Sequence, residues 1–455
     1  MKILILGVGQ VGRSAAYSLA REPANEVTVV DIQEQALREL QDRIDVRAVA
    51  GNASYPSVLE AAGIADTDIL IALTNSDEVN IVACQIAQLL YRTPTRIARI
   101  RAAEYTGRPQ LFAEGGLAVD VWISPEELVT DYIVHLLSNP GALQVVDFAD
   151  GRVQLASVRV RDNGPLVGKP LRILREHLSG SDVRVSAIYR DGRLIALDGD
   201  TVIAEHDEIF FVAAREDLKK MLNELRRRES AVRRLVIAGG GNIGLRLART
   251  LEQTHQIKLI ERDARRARRA SEILQNTIVL HGDAADEELL IEENIDSADV
   301  FAALTNSDEA NVMAAMLAKR LGATRAMALV NRAAYGELME NRNIDVVISP
   351  QTITIGSLLA HVRRGDVVRV HSLRRGVAEA IEVVVHGSAD RSRVIGRHIG
   401  EIELPVGASI VAIVRGEQVI MAHHDTLIET EDHLIVFLSD HRHIDAVERL
   451  FQGER

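Results

Sequence analysis

Two copies of one sequence pattern follow each other in this chain, and the duplication limits the possible folds more than any other feature. The six residues Leu73 to Glu78 (LTNSDE) recur unchanged as Leu304 to Glu309, 231 residues later. The segment Asp120 to Pro125 (DVWISP) recurs at five of its six positions as Asp345 to Pro350. Because self-similarity at a nearly fixed distance indicates repeated structural units, the 455 residues form at least two copies of one architecture.

The first part of each copy alternates short β-branched runs with helical stretches. In the first copy the runs lie near residues 2–6, 26–30, 45–50, 68–73, 96–100 and 119–123. Such alternation is typical of a doubly wound parallel sheet, because each parallel strand needs a crossover connection. The sequence therefore predicts an α/β fold with two tandem Rossmann-like parallel sheets.

A different pattern follows residues 139–141 (NPG) in the first copy. Polar and apolar residues alternate with a period of two at 154–160, 184–189 and 208–212, and a helix is expected at 216–225. This pattern indicates that a small α+β domain follows each parallel sheet. The predicted domains are residues 1–140 (first large domain), 141–228 (first small domain), 229–365 (second large domain) and 366–455 (second small domain), with a solvated linker at 226–230.

Composition excludes several classes of protein. Hydrophobic residues make up 47% and charged residues 26% of the chain, the balance of an ordinary soluble globular protein. The formal net charge of −12 disfavours nucleic acid as a partner, because an acidic surface repels phosphates. Cys84 is the only cysteine, which excludes an internal disulfide and a thiolate metal cluster. The longest apolar runs are far shorter than the ~20 residues of a membrane-spanning helix, so we expect a cytoplasmic protein.

Each copy contains a glycine fingerprint of the form GxGxxG between its first strand and its first helix. Gly7, Gly9 and Gly12 form the first, and the second begins 232 residues later at Gly239. In this context the first glycine permits a tight turn, the second lets the backbone approach a pyrophosphate, and the third lets the helix pack closely on the sheet. Free amides at the helix N-terminus favour a phosphate without a lysine. A glycine turn that binds nothing is the alternative for each copy.

The second strand of each copy ends in an acid suited to ribose hydroxyls. Asp31 follows Gly12 by 19 residues, and Glu261 occupies the same place in the second copy. Ile32, rather than a basic residue, follows Asp31, so a 2′-phosphate would meet an unpaired carboxylate. The first copy is therefore predicted to prefer NAD to NADP. Arg262 follows Glu261 and leaves this choice open in the second copy.

Polar residues follow the third and fourth strands, whose carboxyl ends border the same crevice of a doubly wound sheet. Asn52 follows the third strand, where the second copy has Asp283, and Thr74 and Asn75 follow the fourth. We expect these residues near the ligand. The alternative is that Asn75 or Ser76 caps the helix beginning at residue 77.

An arginine ends the fifth strand of the first copy only. Arg99 is a candidate partner of the pyrophosphate, and the alternative is an ordinary surface arginine. Its counterpart in the second copy is Leu329. The two crevices are therefore predicted to hold their ligands differently.

The sequence shows no catalytic constellation. A dehydrogenase needs a proton donor or acceptor and a substrate pocket beside its cofactor, and no Tyr-x-x-x-Lys, Ser/His/Asp or Cys/His arrangement stands out. Eight of the fourteen histidines follow residue 365, but only two ever lie close together, so solvated surface histidines are favoured over a metal site. We predict a protein that binds a nucleotide without catalysis.

The order and duplication of these motifs resemble the TrkA family of Trk-type potassium uptake systems over nearly the whole chain. Each half is similar to one RCK (KTN) domain followed by the small C-terminal domain of that family. The resemblance implies a cytosolic regulator that binds NAD+ or NADH, with ATP or ADP as further candidate ligands. The nucleotide-binding residues that we predict are Gly7, Val8, Gly9, Gln10, Val11, Gly12, Asp31, Asn52, Thr74, Asn75 and Arg99 in the first copy, and Gly239, Gly240, Gly241, Asn242, Ile243, Gly244, Glu261 and Asp283 in the second.

The resemblance also implies partners. We expect a homo-oligomeric ring, a tetramer, bound peripherally to the inner face of the membrane beneath a potassium-conducting subunit. An NAD-dependent oxidoreductase is the alternative function, and an NAD-responsive transcription regulator is a third that lacks a basic helix-turn-helix. The last helix of each large domain, near residues 126–137 and 355–362, is more apolar than a lone domain requires. It is expected either to seat a neighbouring subunit or to pack on its own sheet.

Overall fold

A computed structural model of the chain shows two parallel and two antiparallel sheets within the residues that it describes. The described residues are 1–22, 24–113, 115–161, 164–174, 183–225, 231–332, 344–362, 367–374, 377–387, 392–440 and 443–451. The predicted linker 226–230 and His441 lie outside them.

The first parallel sheet has six strands in the order β3-β2-β1-β4-β5-β6. These strands are β1 (Lys2–Leu6), β2 (Glu26–Asp31), β3 (Arg47–Ala50), β4 (Ile69–Ala72), β5 (Thr95–Arg99) and β6 (Val121–Ile123). The helices between and after them are α1 (Gln10–Leu19), α2 (Glu34–Gln41), α3 (Pro56–Ala61), α4 (Asp77–Ile86), α5 (Ala103–Thr106) and α6 (Pro125–Ser138). The strands are apolar and mostly buried, as parallel strands covered on both faces must be, and they confirm the predicted pattern.

An antiparallel sheet of five strands follows, in the order β10-β9-β11-β8-β7. Its strands are β7 (Ala142–Phe148), β8 (Val153–Arg159), β9 (Val183–Arg190), β10 (Arg193–Ile195) and β11 (Glu208–Ala214), and α7 (Leu218–Leu225) comes after them. Buried Leu218, Met221 and Leu225 of α7 complete a core with the sheet. We call this sheet the first small sheet.

The second copy repeats both sheets in the same strand order. Its parallel sheet contains β12 (Arg234–Ala238), β13 (Gln256–Glu261), β14 (Thr277–His281), β15 (Val300–Ala303), β16 (Arg325–Leu329) and β17 (Val346–Ile348). Its helices are α8 (Asn242–Leu251), α9 (Ala264–Ile273), α10 (Glu287–Glu292), α11 (Asp308–Arg320) and α12 (Pro350–Val362). The second small sheet contains β18 (Val367–Leu373), β19 (Ala378–Val384), β20 (Ala408–Arg415), β21 (Gln418–Met421) and β22 (His433–Leu438), followed by α13 (Ile444–Phe451). The predicted fold class is confirmed.

The chain divides into two compact units that do not coincide with the two copies. The first unit consists of residues 1–128 together with 350–362, and the second consists of 129–349 together with 363–455. Helix α12, which follows the second parallel sheet in sequence, therefore belongs to the first unit, where it packs against α1 and β6. The alternative that this helix packs on its own sheet does not describe it, because its partner in the first unit is the sheet domain of the other copy. The seating of a neighbouring subunit stays a prediction. The four predicted domain boundaries stay a prediction.

The two small sheets pack against each other within the second unit. One apolar core joins them, and the rings of Phe210 and Phe437 lie 6.0 Å apart between centroids. Polar contacts border this core, since the Gln144 side chain donates to the Ser372 carbonyl at 2.9 Å. Face-to-face packing of two sheets buries the inner side of both, so the duplicated small domains share a core.

Each small sheet contains the same ion pair between a partly exposed arginine and a buried aspartate. Arg190 binds Asp207 through Nε and Nη2 at 2.8 and 2.9 Å, and Arg415 binds Asp432 through the same atoms at 2.8 and 2.8 Å. Both aspartates are 0% exposed. Bidentate geometry of this kind fixes the loop that carries the acid, which explains why Ala187–Arg190 recurs as Ala412–Arg415.

No helix among the described residues is both long enough and apolar enough to cross a membrane.

Candidate functional site: a nucleotide crevice in each copy

The strand order places a crevice at the same point of both parallel sheets. In the first sheet β1 lies between β2 and β4, so the connections from β1 and β4 leave the sheet in opposite directions. Ligands of such sheets bind beyond the carboxyl ends of the strands at this switch point. The predicted site residues of the first copy end or follow β1, β2, β3, β4 and β5, so all of them lie at this one edge.

Two glycines of each fingerprint are required by the packing of the protein itself. Gly7 has φ +95°, and a Cβ there would lie 2.9 Å from the backbone of Leu73 and Thr74. A Cβ on Gly12 would lie 1.9 Å from the carbonyl oxygen of Gly7. A Cβ on Gly244 would lie at the same distance, 1.9 Å, from the carbonyl oxygen of Gly239. These glycines let the loop pass close to β4 and the helix close to the loop.

The middle glycine of each fingerprint has no such role. Gly9 has an ordinary φ of −69°, and a Cβ there would meet no described atom within 4 Å. Gly241 is the same, with φ −73°. The fold would therefore accept a side chain at both positions. A glycine here instead keeps the backbone open to a group outside the fold, which is what a pyrophosphate requires.

The helix that follows each fingerprint presents unpaired amides to this opening. Gly9 is the N-cap of α1 without a side-chain cap, and the first amide bonded within the helix is that of Arg13, to Gly9 oxygen at 2.9 Å. The amides of Gln10 and Val11 precede it and have no acceptor in the helix. In the second copy Gly241 precedes Asn242 and Ile243 of α8 in the same way. The positive end of each helix dipole favours an anion.

The acid at the end of the second strand is held by the fingerprint loop. Asp31 accepts from the Val8 amide at 2.6 Å and from the Gln33 amide at 2.8 Å. In the second copy Glu261 accepts from the amides of Gly240 and Asp263, each at 2.8 Å. Each carboxylate oxygen keeps a second acceptor position, so both acids can still bind ribose hydroxyls.

The two acids differ in exposure. Asp31 is partly exposed, and the side chain beside it, Ile32, is 72% exposed and uncharged. The Glu261 side chain is only 6% exposed, and Arg266 Nη2 lies 3.6 Å from its Oε1. The acid of the first crevice is therefore more available to a ligand.

Asn52 and Asp283 shape the turns after the third strands. Asn52 Oδ1 accepts from the amide and the hydroxyl of Ser54 at 3.0 and 2.8 Å. Asp283 Oδ1 accepts from the Ala285 amide at 2.9 Å. The two residues play equivalent local roles, and their contact with a nucleotide stays a prediction.

The repeated LTNSDE turn is stabilised by an asparagine that the sequence analysis missed. Asn80, fully buried in α4, accepts from the amide and hydroxyl of Thr74 at 3.0 and 2.7 Å and donates to the Arg99 carbonyl at 2.9 Å. Ser76 caps α4, since its hydroxyl accepts from the Val79 amide at 3.2 Å. Asn75 is exposed. The signal was present, because the identity of the two copies extends to the asparagines Asn80 and Asn311.

Arg99 is largely buried, unlike a surface arginine, and lies beside an acid. Its side chain is 20% exposed, and its Nη2 lies 3.8 Å from Glu126 Oε1. Its Nε has no hydrogen-bond partner among the described residues. Burial lowers the pKa of Arg99, and the nearby Glu126 carboxylate opposes that shift. In the second copy Leu329 is buried at this place, and its carbonyl accepts from Asn311 at 2.8 Å.

Two further residues of the first crevice were not predicted. The Arg101 amide donates to Asp77 Oδ2 at 2.8 Å, and its guanidinium lies 3.5 Å from Asp77 Oδ1. Gln351, in the first turn of α12, donates to the Gln10 carbonyl at 3.0 Å. The second contact places a helix of the second copy directly beside the fingerprint of the first.

The arrangement suits binding of an anionic nucleotide. The charged side chains described around the first crevice are paired: Asp31 with backbone amides, Arg101 with Asp77, and Arg99 with Glu126. Within the described residues no group of three or more histidine, cysteine or carboxylate side chains is placed to hold a metal ion.

Comparison with known proteins identifies the family. The TrkA-N domain model matches residues 3–125 and 235–350, and the TrkA-C domain model matches residues 155–226 and 389–452. The chain belongs to the TrkA family. The resemblance predicted from the repeated motifs is thereby confirmed, including the tandem order of the two domain types.

Relatives in the TrkA family match over the full length. The chain is 55% identical to the Trk system potassium uptake protein TrkA of Halomonas elongata over 99% of both chains. It is 54% identical to the protein of that name from Vibrio alginolyticus, also over 99% of both. The protein of that name from Haemophilus influenzae is 47% identical over 99% of both chains.

Solved structures share the fold of this TrkA-family chain at low identity. The GsuK RCK domain has a TM-score of 0.62 and 20% identity, covering 99% of this chain and 94% of that one. The GsuK channel bound to NAD has a TM-score of 0.60 and 20% identity, covering 99% and 78%. These likenesses support the fold, and the roles of the individual site residues stay predictions.

Proposed function

We propose that this chain is a regulatory subunit that binds NAD+ or NADH in its first crevice and controls a potassium-conducting membrane subunit. The observation that carries the proposal is the free space beside Gly9, where a Cβ would meet no described atom within 4 Å. Gly9 is the N-cap of α1 and follows Val8, whose amide donates to the acid that ends β2. Packing requires no glycine there, whereas close approach of a pyrophosphate does.

The residues around Gly9 fit the parts of a dinucleotide. The amides of Gln10 and Val11 would hold the pyrophosphate, and Asp31 would accept from the adenosine ribose, with Asn52 beside it. Thr74, Asn75 and Arg99 follow β4 and β5 and would face the second nucleoside or its phosphate. The uncharged Ile32 after Asp31 supports NAD over NADP, since nothing basic there would meet a 2′-phosphate.

The second crevice is proposed to bind more weakly. Gly239 to Gly244 keep the loop geometry, but Glu261 is buried beside Arg266, and Leu329 supplies no charge for a phosphate. ATP or ADP remain candidate ligands of either crevice, because the features shared by both recognise a ribose and phosphates rather than nicotinamide.

Regulation is favoured over catalysis. The relatives are named as potassium uptake proteins, and the GsuK channel with this fold is described as bound to NAD. An NAD-dependent oxidoreductase is the alternative, and NADH turnover by the purified protein with any small carbonyl compound would support it instead.

We further propose that the protein works as a ring of identical subunits, a tetramer, on the cytoplasmic face of the membrane. Pull-down of the chain from membranes, with and without NADH, tests its association with a membrane subunit. Recovery of an ion-conducting protein supports this association, whereas failure to recover one under either condition contradicts it.

The binding proposal predicts that Asp31→Ala lowers NADH affinity by about 10- to 100-fold, because a hydrogen bond to a charged group contributes about 1.5–3 kcal/mol. Titration calorimetry with NADH measures the change. Asp45→Ala, an exposed acid outside the crevice, serves as the matched control and should leave the affinity unchanged.

Thermal unfolding of both variants tests whether the fold is kept. Equal NADH affinity of the folded Asp31→Ala variant and the wild type would remove Asp31 from the site.

A further inference from the structure

Arg99 and Glu126 form a long ion pair at the edge of the first crevice. Arg99 ends β5, and Glu126 lies in the first turn of α6, just beyond the neighbouring strand β6. The separation of 3.8 Å is long, because charge-assisted hydrogen bonds of arginine are about 2.7–2.9 Å. The two side chains are only 20% and 16% exposed.

The surroundings of Arg99 disfavour its charge more than Glu126 compensates. Burial lowers the pKa of this guanidinium although the carboxylate opposes the shift, and its Nε lacks a described partner. The pyrophosphate of a dinucleotide carries two negative charges against one for the carboxylate, and each of its phosphates offers acceptor oxygens that match the planar guanidinium. A phosphate bound in the crevice would therefore stabilise the charged form of Arg99 better than Glu126 does.

The second copy supports the view that the two residues act as a pair. The equivalent of Arg99 is Leu329, and the equivalent of Glu126, by the alignment of Pro125 with Pro350, is Gln351. Both charges are absent together. Joint loss is expected of two residues that interact, because removing one charge of a largely buried pair leaves the other without its partner.

We propose that Arg99 exchanges partners, binding Glu126 in the free protein and a phosphate of the nucleotide in the bound protein. Glu126 is then a positioning residue that opposes nucleotide binding in the first crevice. The inference rests on the proposed function and extends it, because it identifies the element that responds to the nucleotide. That element is α6, which starts at the crevice and whose residues after Leu128 belong to the second unit.

The direction in which Glu126→Gln changes NADH affinity distinguishes this exchange from other roles of Glu126. Glu126→Gln removes the competitor and should raise NADH affinity about three- to tenfold, whereas Arg99→Gln should lower it at least about tenfold. The double variant should bind like Arg99→Gln alone, because in this exchange Glu126 affects the nucleotide through Arg99. The probe is NADH in titration calorimetry, and all variants carry Gly241→Ala to keep the second crevice out of the measurement.

Glu127→Gln is the matched control. It removes the same charge from the same helical turn, so it reports the general effect of charge near an anion. The expected result is a clearly smaller gain than that of Glu126→Gln, and one that persists in the Arg99→Gln background.

Three results would overturn the exchange. Glu126→Gln could lower the affinity, which would make Glu126 a direct ligand contact. Its effect could equal that of Glu127→Gln or persist unchanged without Arg99, which would make it a general charge effect. Arg99→Gln could leave the affinity unchanged in a folded protein. In each case wild-type binding of NADH would leave the proposed function intact, whereas a wild-type chain that binds neither NADH nor ATP would refute both.

Discussion

The two crevices of the chain share their backbone geometry and differ in their charges. Each has a third glycine at which a Cβ would lie 1.9 Å from a carbonyl oxygen, an acid that accepts from two loop amides, and a buried asparagine that holds a threonine turn. Yet Leu329 and Gln351 stand in the second copy where the first has Arg99 and Glu126. The scaffold is thus shared by the two copies, whereas the residues to which we assign the proposed ligand preference differ.

The small sheets show the same division. The ion pairs Arg190–Asp207 and Arg415–Asp432 are shared. The residues of the core between the sheets are shared only in part. Ala187 recurs there as Ala412, whereas Val146, opposite Leu155, is replaced by His371, opposite Ala380. The two copies thus share the ion pair within each small domain and differ in part of the core that joins the two small domains.

The largest expected effect is one that should be equal in both copies. Gly12→Ala and Gly244→Ala each place a methyl group 1.9 Å from a backbone carbonyl that has little room to move. Each should cost more than about 4 kcal/mol of stability, since overlap with backbone cannot be relieved by rotating a side chain. Urea unfolding measures it. A large loss in one variant alone would show that the two scaffolds are not equivalent.

The next effect should separate the copies. Gly9→Ala and Gly241→Ala meet no described atom within 4 Å, so both variants should fold with nearly unchanged stability. Gly9→Ala should nevertheless weaken NADH binding about 100-fold, because the methyl group occupies the path of the pyrophosphate. Gly241→Ala should affect only a weaker site. Calorimetry of the two variants gives the stoichiometry and affinity that remain, and loss of the tighter site in Gly241→Ala would reverse the assignment of the crevices.

A smaller effect distinguishes the small sheets by pH. Burial lowers the pKa of His371 to about 4, although its hydrogen bond to the Asp147 carbonyl at 3.1 Å opposes the shift. The unfolded chain therefore binds a proton at higher pH than the folded one. Stability should fall by about 2 kcal/mol between pH 7 and pH 5 and continue falling towards pH 4.

The contrast with the first copy provides the test. His371→Val installs the residue type that the first small sheet has at the equivalent Val146. The variant should lose this part of the acid sensitivity, which urea unfolding at several pH values would measure. An unchanged pH profile would show that His371 is not the responsible group.

The sequence sufficed for the sheets, the glycines and the acids because each of these leaves a local pattern. A strand shows a run of apolar residues, and Gly12 is demanded by one close contact within its own loop. Asn80 was missed because a buried asparagine inside a helix looks like any polar helical residue until its partners are placed.

The partner of α12 was missed for a different physical reason. Apolar spacing at Leu358, Leu359 and Val362 shows that a face is buried and not what covers it. The same limit applies to Glu126, which gains meaning only from Arg99, 27 positions earlier in the sequence. Contacts between distant segments are set by topology, which the spacing of residues within one helix does not encode.

The placement of α12 has a consequence for dissecting the protein. A polypeptide that ends at residue 228 holds the entire first copy yet lacks the strip of residues 350–362 that completes the first unit. The complementary fragment carries that strip without α1 and β6, against which it packs in the intact chain. We therefore expect the separated halves to aggregate or to associate with each other in trans. Neither fragment alone would reproduce the structure that its copy has in the intact chain.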